Sequence, residues 1–200
     1  MTVIGITGGI GCGKSTVCGY LKEKYDACVL MADDVGHDVM APGGCAYDAL
    51  KMLLGDEYIL PDKTFDRKKI GNRAFKEPGL LEKMNAIIHP AVHESIIDTL
   101  SEAEKSGREF GVVEAALLIE AGYRDICSEY WYVYTDEELR IKRLMASRDI
   151  TEEKARDVMK RQLSEDEFRK NCEFVVLNNN DFKETAKQID ERIEYLRAGK

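Results

Sequence analysis

The sequence predicts an α/β fold, a parallel sheet flanked by helices with an inserted helical lobe. Three observations point there. Short apolar runs at both ends of the chain, "TVIGIT" and "CEFVVLNN", read as buried parallel strands. Helical patterns follow such runs, the alternation expected of a parallel sheet. The long stretch from about Asp34 to Gly107 carries helical patterns with no strand among them.

Taken in order, "TVIGIT" is the first strand and "TVCGYLKEKY" a helix with Val17, Tyr20 and Leu21 on one side. "ACVLM" is the second strand. The helical stretch is broken at "APGG", "LPDKTFD" and "KEPG". Within it, "LLEKMNAIIHPAVHESIIDTLSEAEKSG" reads as two helices meeting at Pro90, a residue suited to a helix's first turn. "FGVVEAALLIE", "EYWYVYT" and "CEFVVLNN" restore the strands, and a last helix runs from Asp181 to the end. Between the last two strands, Asp136 to Lys170 is charged and helical, with a break near Asp149 to Thr151. Thr151 before Glu152 to Lys154 reads as a capped helix start. The alternating aromatics of "EYWYVYT" read as core.

The chain has 200 residues, 44% hydrophobic and 33% charged, enough for one core plus a smaller appended unit. A formal charge of −8 argues against a nucleic-acid binder but leaves room for a local basic pocket. Six cysteines, at 12, 18, 28, 45, 127 and 172, include no C-x-x-C pair, so neither a metal knuckle nor a disulfide framework is expected. "MTVIGITGG" lacks a signal-peptide pattern, and no apolar run is long enough to cross a bilayer. A cytoplasmic enzyme with reduced thiols is expected, a monomer or small homo-oligomer without membrane contact.

"GGIGCGKS", Gly8 to Ser15, satisfies G-x-x-x-x-G-K-[ST] between a strand and a helix, the context a P-loop requires. Glycines let the backbone take positive φ and approach a ligand closely. Amide groups and the helix's positive end then face phosphate oxygens. Lys14 is expected on the terminal phosphates and Ser15 on Mg²⁺. The ATP-binding set is Gly9, Ile10, Gly11, Cys12, Gly13, Lys14, Ser15 and Thr16.

"VLMADDVGHDV" raises the question of what acts on the phosphate, because a strand ends there in Asp33 and Asp34. In open α/β sheets ligands sit beyond the strands' carboxyl ends. A kinase needs a carboxylate there to orient an attacking hydroxyl. Asp33 suits that role, with a helix cap as the plain alternative; Asp34 suits a cap and first-turn acid, and Asp38 solvent. A switch GTPase would need an N-K-x-D loop, which is absent. A motor-type ATPase would use a strand-end acid, for which Glu114 in "GVVEA" is a candidate. A small-metabolite kinase fits better.

With these motifs in place, the chain resembles the dephospho-CoA kinase family over nearly its whole length. The matching segments are "IGITGGIGCGKSTV", "LMADDVGHDVM", "FDRKKIGNRAF", "LEKMNAIIHPAV", "ALLIE", "RIKRLMASRD" with "ARDVMKRQ", and "CEFVVLNNN". The resemblance implies MgATP-dependent phosphorylation of the ribose 3′-hydroxyl of dephospho-CoA, with Asp33 as general base and Lys14 on the phosphates. It implies Arg143 and Arg140 as lid arginines of the catalytic set, Arg148 and Asn178 on ATP, and Arg67, His89, Pro90 and Leu117 on the acceptor side. It divides the chain into a nucleotide-binding core (1–33, 108–138, 172–200), an acceptor lobe (34–107) and a lid (139–171). Departures from the family pattern are Met31 for an aspartate, Ala116 for a proline, and Ser147, beside Arg148, for an arginine.

Two rivals stay open: another small-metabolite or nucleoside-monophosphate kinase, and a non-catalytic ATP-binding regulator. Intact Lys14, Ser15 and Asp33 weigh against the second. His89 and His93 are spaced i, i+4, but a zincin would need a glutamate between them and a further ligand.

Overall fold

The computed structural model describes residues 1–148 and 150–199, with the side chain of Arg148 outside the description. Five strands, β1 (Thr2–Thr7), β2 (Cys28–Met31), β3 (Phe110–Glu114), β4 (Glu129–Tyr134) and β5 (Phe174–Leu177), form one sheet in the order β2-β3-β1-β4-β5. β1 pairs parallel with β3 and with β4, and β4 with β5. In that register Ile6 stands opposite Glu114, and Thr7 opposite Tyr132.

The helices are α1 (Lys14–Tyr25), α2 (Ala32–Met40), α3 (Tyr47–Leu54), α4 (Arg67–Lys76) and α5 (Leu80–Lys105). They continue as α6 (Leu118–Ala121), α7 (Glu137–Arg148), α8 (Glu152–Met159), α9 (Glu165–Asn171) and α10 (Phe182–Arg197). The chain divides into two compact units, Met1–Val29 with Ala103–Lys200, and Leu30–Glu102.

In the first unit the strand residues Ile4, Ile6, Val112, Val113, Trp131, Val133 and Val176 are buried, as are Leu21 of α1 and Ile189 and Ile193 of α10. Runs of this kind, apolar on both faces, belong to strands covered on both sides. Gly5 has a packing reason: a Cβ there would lie 2.7 Å from the side chains of Tyr130 and Leu118. The aromatics Tyr130, Trp131 and Tyr132 are buried, in accord with the core reading of "EYWYVYT".

The second unit buries Val35 and Val39 of α2, Leu50 and Leu54 of α3, Ile70 of α4, and Leu80, Val92, Ile96 and Leu100 of α5. Leu54, Ile70 and Leu80 form one cluster, flanked by Leu53, Tyr58, Phe65, Ala74 and Met84. Asp66 caps α4, its carboxylate accepting from the Lys69 amide at 2.9 Å.

Three local expectations need correction. First, α5 is one helix with Pro90 inside it, not two meeting there. Proline removes one helical hydrogen bond and crowds the preceding turn, a loss of about 3 kcal/mol. Burial of Val92, Ile96 and Leu100, at about 1.5–3 kcal/mol each, outweighs it. Asn85, Ala86, His89 and Pro90 are all exposed, so the carbonyl that Pro90 leaves unpaired stands on the wet face. Second, the described residues of 136–171 hold three helices. Thr151 does cap α8, accepting from the Lys154 amide at 3.3 Å, whereas Asp149 lies outside the described residues. A further helix, α9, follows the N-cap Ser164. Third, Met31 is the N-cap of α2 and makes no side-chain cap, so Asp34 is a first-turn acid only, beside Asp33.

Candidate active site

β1 delivers the chain to a loop whose conformation its glycines permit. Gly8 has φ 144° and Gly13 φ 93°. A Cβ at Gly8 would lie 2.5 Å from the Val133 carbonyl oxygen, and one at Gly13 would lie 2.2 Å from Asn178 Nδ2. Neither neighbour leaves room for a side chain.

The loop's carbonyls are turned toward protein donors. Gly8 O accepts from Lys14 Nζ at 3.0 Å, Gly9 O from the Cys12 amide at 3.2 Å, and Ile10 O from Arg140 Nε at 2.9 Å. Cys12 O accepts from Asn178 Nδ2 at 2.8 Å and lies 3.0 Å from the Thr135 hydroxyl. The amides of Gly11, Gly13 and Ser15 donate to no backbone carbonyl among the described residues, and the Lys14 amide faces the Cys12 thiol. Carbonyls tied outward and amides left open make a concavity with positive partial charge at the start of α1. That is an anion cradle.

Lys14 reaches back across this loop. Besides Gly8 O, its ammonium lies 3.5 Å from Glu114 Oε1, at the end of the neighbouring β3, and both side chains are nearly buried. The ion pair fixes the ammonium beside the loop, where a phosphate could share it.

Arginines arrive from α7. Arg140 grips the loop tip: Nε donates to Ile10 O, and Nη2 to Gln162 Oε1 at 3.1 Å. A Cβ at Gly9 would stand 2.2 Å from Arg140 Nη2, so a side chain there would displace the guanidinium from this position. Arg143 donates through Nη1 to the Thr135 hydroxyl at 3.3 Å and through Nη2 to Asn178 O at 3.0 Å. Asn178 is buried, and its Oδ1 accepts from Thr185 Oγ1 at 3.1 Å. Its side chain holds the loop from below.

Cys12 and Cys18 flank the cradle and are buried. Burial pushes the Cys12 thiol up, against the nearby Lys14 charge, and pushes Cys18 up to about 12. Neither thiol is poised as a nucleophile at neutral pH.

The structure therefore gathers Gly9 to Thr16, Arg140, Arg143 and Asn178 in the first unit. Ser15 and Thr16 are exposed in the first turn of α1. Leu117, also there, is 64% exposed. Arg148 also belongs to the first unit, with its side chain outside the described residues, and the other predicted residues belong to the second unit. Asp33 is exposed in the first turn of α2, and Arg67, His89 and Pro90 are exposed on α4 and α5. Arg67 Nη1 donates to His37 Nε2 at 3.3 Å.

Sequence reasoning missed Gln162, Thr135 and Thr185. Thr135 follows directly on a strand's carboxyl end, the signal that drew attention to Asp33. Gln162 ends the segment "ARDVMKRQ" but was not singled out within it, and Thr185 sits in a charged helical stretch with no motif of its own. Among the described residues no cluster of His, Cys, Asp and Glu could hold a metal ion, and no helix is long and apolar enough to cross a membrane.

A parallel sheet with a phosphate-cradling loop after its first strand, a lysine in the loop and arginines from a following helix defines a P-loop kinase. The family model described as dephospho-CoA kinase matches residues 2–184. The chain is 35% identical to the dephospho-CoA kinase of Geobacter sulfurreducens over 98% of its own length and 97% of the relative's. The chain belongs to the dephospho-CoA kinase family. A crystal structure from Thermus thermophilus superposes with TM-score 0.80 at 26% identity, covering 97% of this chain and 96% of that one. The dephospho-CoA kinase structure from Campylobacter jejuni has the same fold, with TM-score 0.71 at 22% identity over 98% of each chain.

Proposed function

We propose that the chain transfers the γ-phosphate of ATP to the ribose 3′-hydroxyl of dephospho-CoA, giving coenzyme A and ADP. Membership of the family supports the reaction and its two substrates. The observation that carries the chemistry is the loop whose amides stay open while its carbonyls are tied off.

In this reading the loop from Gly9 to Thr16 binds the ATP phosphates through its open amides, and Lys14 moves from Glu114 toward the transferring group. Asp33 accepts the proton of the ribose hydroxyl as its oxygen forms the bond to the γ-phosphorus and the bridging oxygen leaves with ADP. Arg143 and Arg140 stabilise the charge that spreads over the transferring oxygens. Asn178 and Arg148 belong to the ATP side, and Arg67, His89, Pro90 and Leu117 to the acceptor side. Residues 34–107 then serve as acceptor lobe and 139–171 as a lid that excludes water, with the rest as nucleotide core.

Mg²⁺ fits this site, because the exposed Ser15 hydroxyl, next to Lys14, is the hard oxygen donor such an ion prefers. Ser15 is the residue that would hold it, and the bound ion would neutralise charge on the phosphate oxygens. Six free cysteines and a formal charge of −8 support a reducing, cytoplasmic setting and small-molecule partners, with no nucleic acid or membrane. A monomer or small homo-oligomer suffices for this mechanism.

Purified protein with MgATP should release ADP on addition of dephospho-CoA, and far less with AMP, UMP or pantetheine phosphate. Equal stimulation by AMP would contradict the acceptor. Nucleotide binding without any acceptor-dependent release would contradict the kinase.

A further inference from the structure

One side chain near the cradle has no part in the mechanism above. Gln162 lies in the turn just after α8, remote in sequence from the loop, yet its Oε1 accepts from the Ile10 amide at 2.9 Å. The same oxygen accepts from Arg140 Nη2 at 3.1 Å, while Arg140 Nε donates to Ile10 O at 2.9 Å. Three residues thus close a ring around one residue's backbone donor and acceptor, both occupied by side chains. Gly11, with φ 79°, follows Ile10, and the loop's conformation there is not otherwise held by a cap on α1.

A phosphate cradle works when its amides point inward before the ligand arrives, since ordering the loop during binding would weaken affinity. Ile10 is the position where this loop could swing, between two glycines. We infer that Gln162 is a positioning residue for ATP: its amide oxygen fixes the Ile10 peptide and keeps Arg140 across the loop tip, so that the cradle is preformed. This rests on the reading of the loop as the ATP site. It also links α8's exit turn to the cradle, so a displacement of that turn would loosen ATP.

The test compares Gln162→Met, which keeps the shape and loses the oxygen's bonds, with Gln162→Glu, which keeps an acceptor for both donors. Losing an acceptor that serves a backbone amide and a guanidinium should weaken ATP binding about ten-fold. The dephospho-CoA KM should stay unchanged, and Gln162→Glu should lie within a few-fold of the parent protein. Without nucleotide, the Ile10 amide should exchange with solvent faster in Gln162→Met, followed by NMR. Three results would overturn the inference: ATP affinity unaltered in Gln162→Met, equal damage from Gln162→Glu, or parallel loss of affinity for both substrates. A parent protein that binds no ATP would instead remove the reading of the loop itself.

Discussion

At the residue scale, the same burial that silences the thiols near the cradle makes the protein sensitive to alkali. Cys18 is raised to about 12 by burial first and by the Glu114 charge second, and burial raises Cys127 and Cys172 to about 12 as well. In the unfolded chain these thiols titrate near 9.0. Below that pH both states hold the proton and stability is unaffected. Between about 9 and 12 only the folded state holds it, so stability falls as pH rises through that window. The melting temperature, measured in reductant, should be flat from neutral pH to about 8.5 and fall above it, less steeply in Cys18→Ala. A flat profile into strong alkali would contradict the buried placement.

Residue-level reading of the sequence reached the loop because each requirement there is met by one residue type. Gly8 and Gly13 have no room for a side chain, and Lys14 is the one long cation in the motif. Asn178 and Arg140 were legible as candidates, but not the use the fold makes of them. Each donates a hydrogen bond to one of the loop's carbonyls. Such contacts join residues more than a hundred positions apart, which no local pattern records.

At the element scale, strands were the most legible parts. Continuous apolar runs four to six residues long admit few other placements once the loop fixes the first. Helix boundaries were less so. Pro90 signalled a break that the burial of its neighbours overrides. The start of α9 had a local signal that went unread: Ser164 and Glu167 form a capping box. The Ser164 hydroxyl accepts from the Glu167 amide at 3.3 Å, and the Glu167 carboxylate accepts from the Ser164 amide at 2.8 Å.

That cap positions Phe168, which stacks on Tyr132 of β4 with ring centroids 4.7 Å apart. Ser164→Ala should destabilise the protein by about 1 kcal/mol, read from urea unfolding. Ser164→Asp should recover most of the loss, because aspartate caps equally well. An unchanged unfolding midpoint in Ser164→Ala would mean that α9 does not depend on its cap.

At the scale of the whole molecule, the proposed chemistry is divided between two compact units. The phosphate cradle, Lys14 and the arginines are built into the sheet-bearing unit, and the proposed base and most of the proposed acceptor side belong to the helical one. The inserted helical lobe was legible as a long stretch without strand patterns. The acceptor role proposed for it came only from the ordered set of motifs that the chain shares with a family, since no helix in it carries a chemical signature by itself.

The division places the central claim on Asp33. The most direct measurement is Asp33→Asn, with ATP affinity and dephospho-CoA-dependent turnover determined on the same preparation. A general base contributes on the order of a hundred-fold or more, so turnover should fall by at least that factor while ATP binds as before. Undiminished turnover in Asp33→Asn would contradict the account.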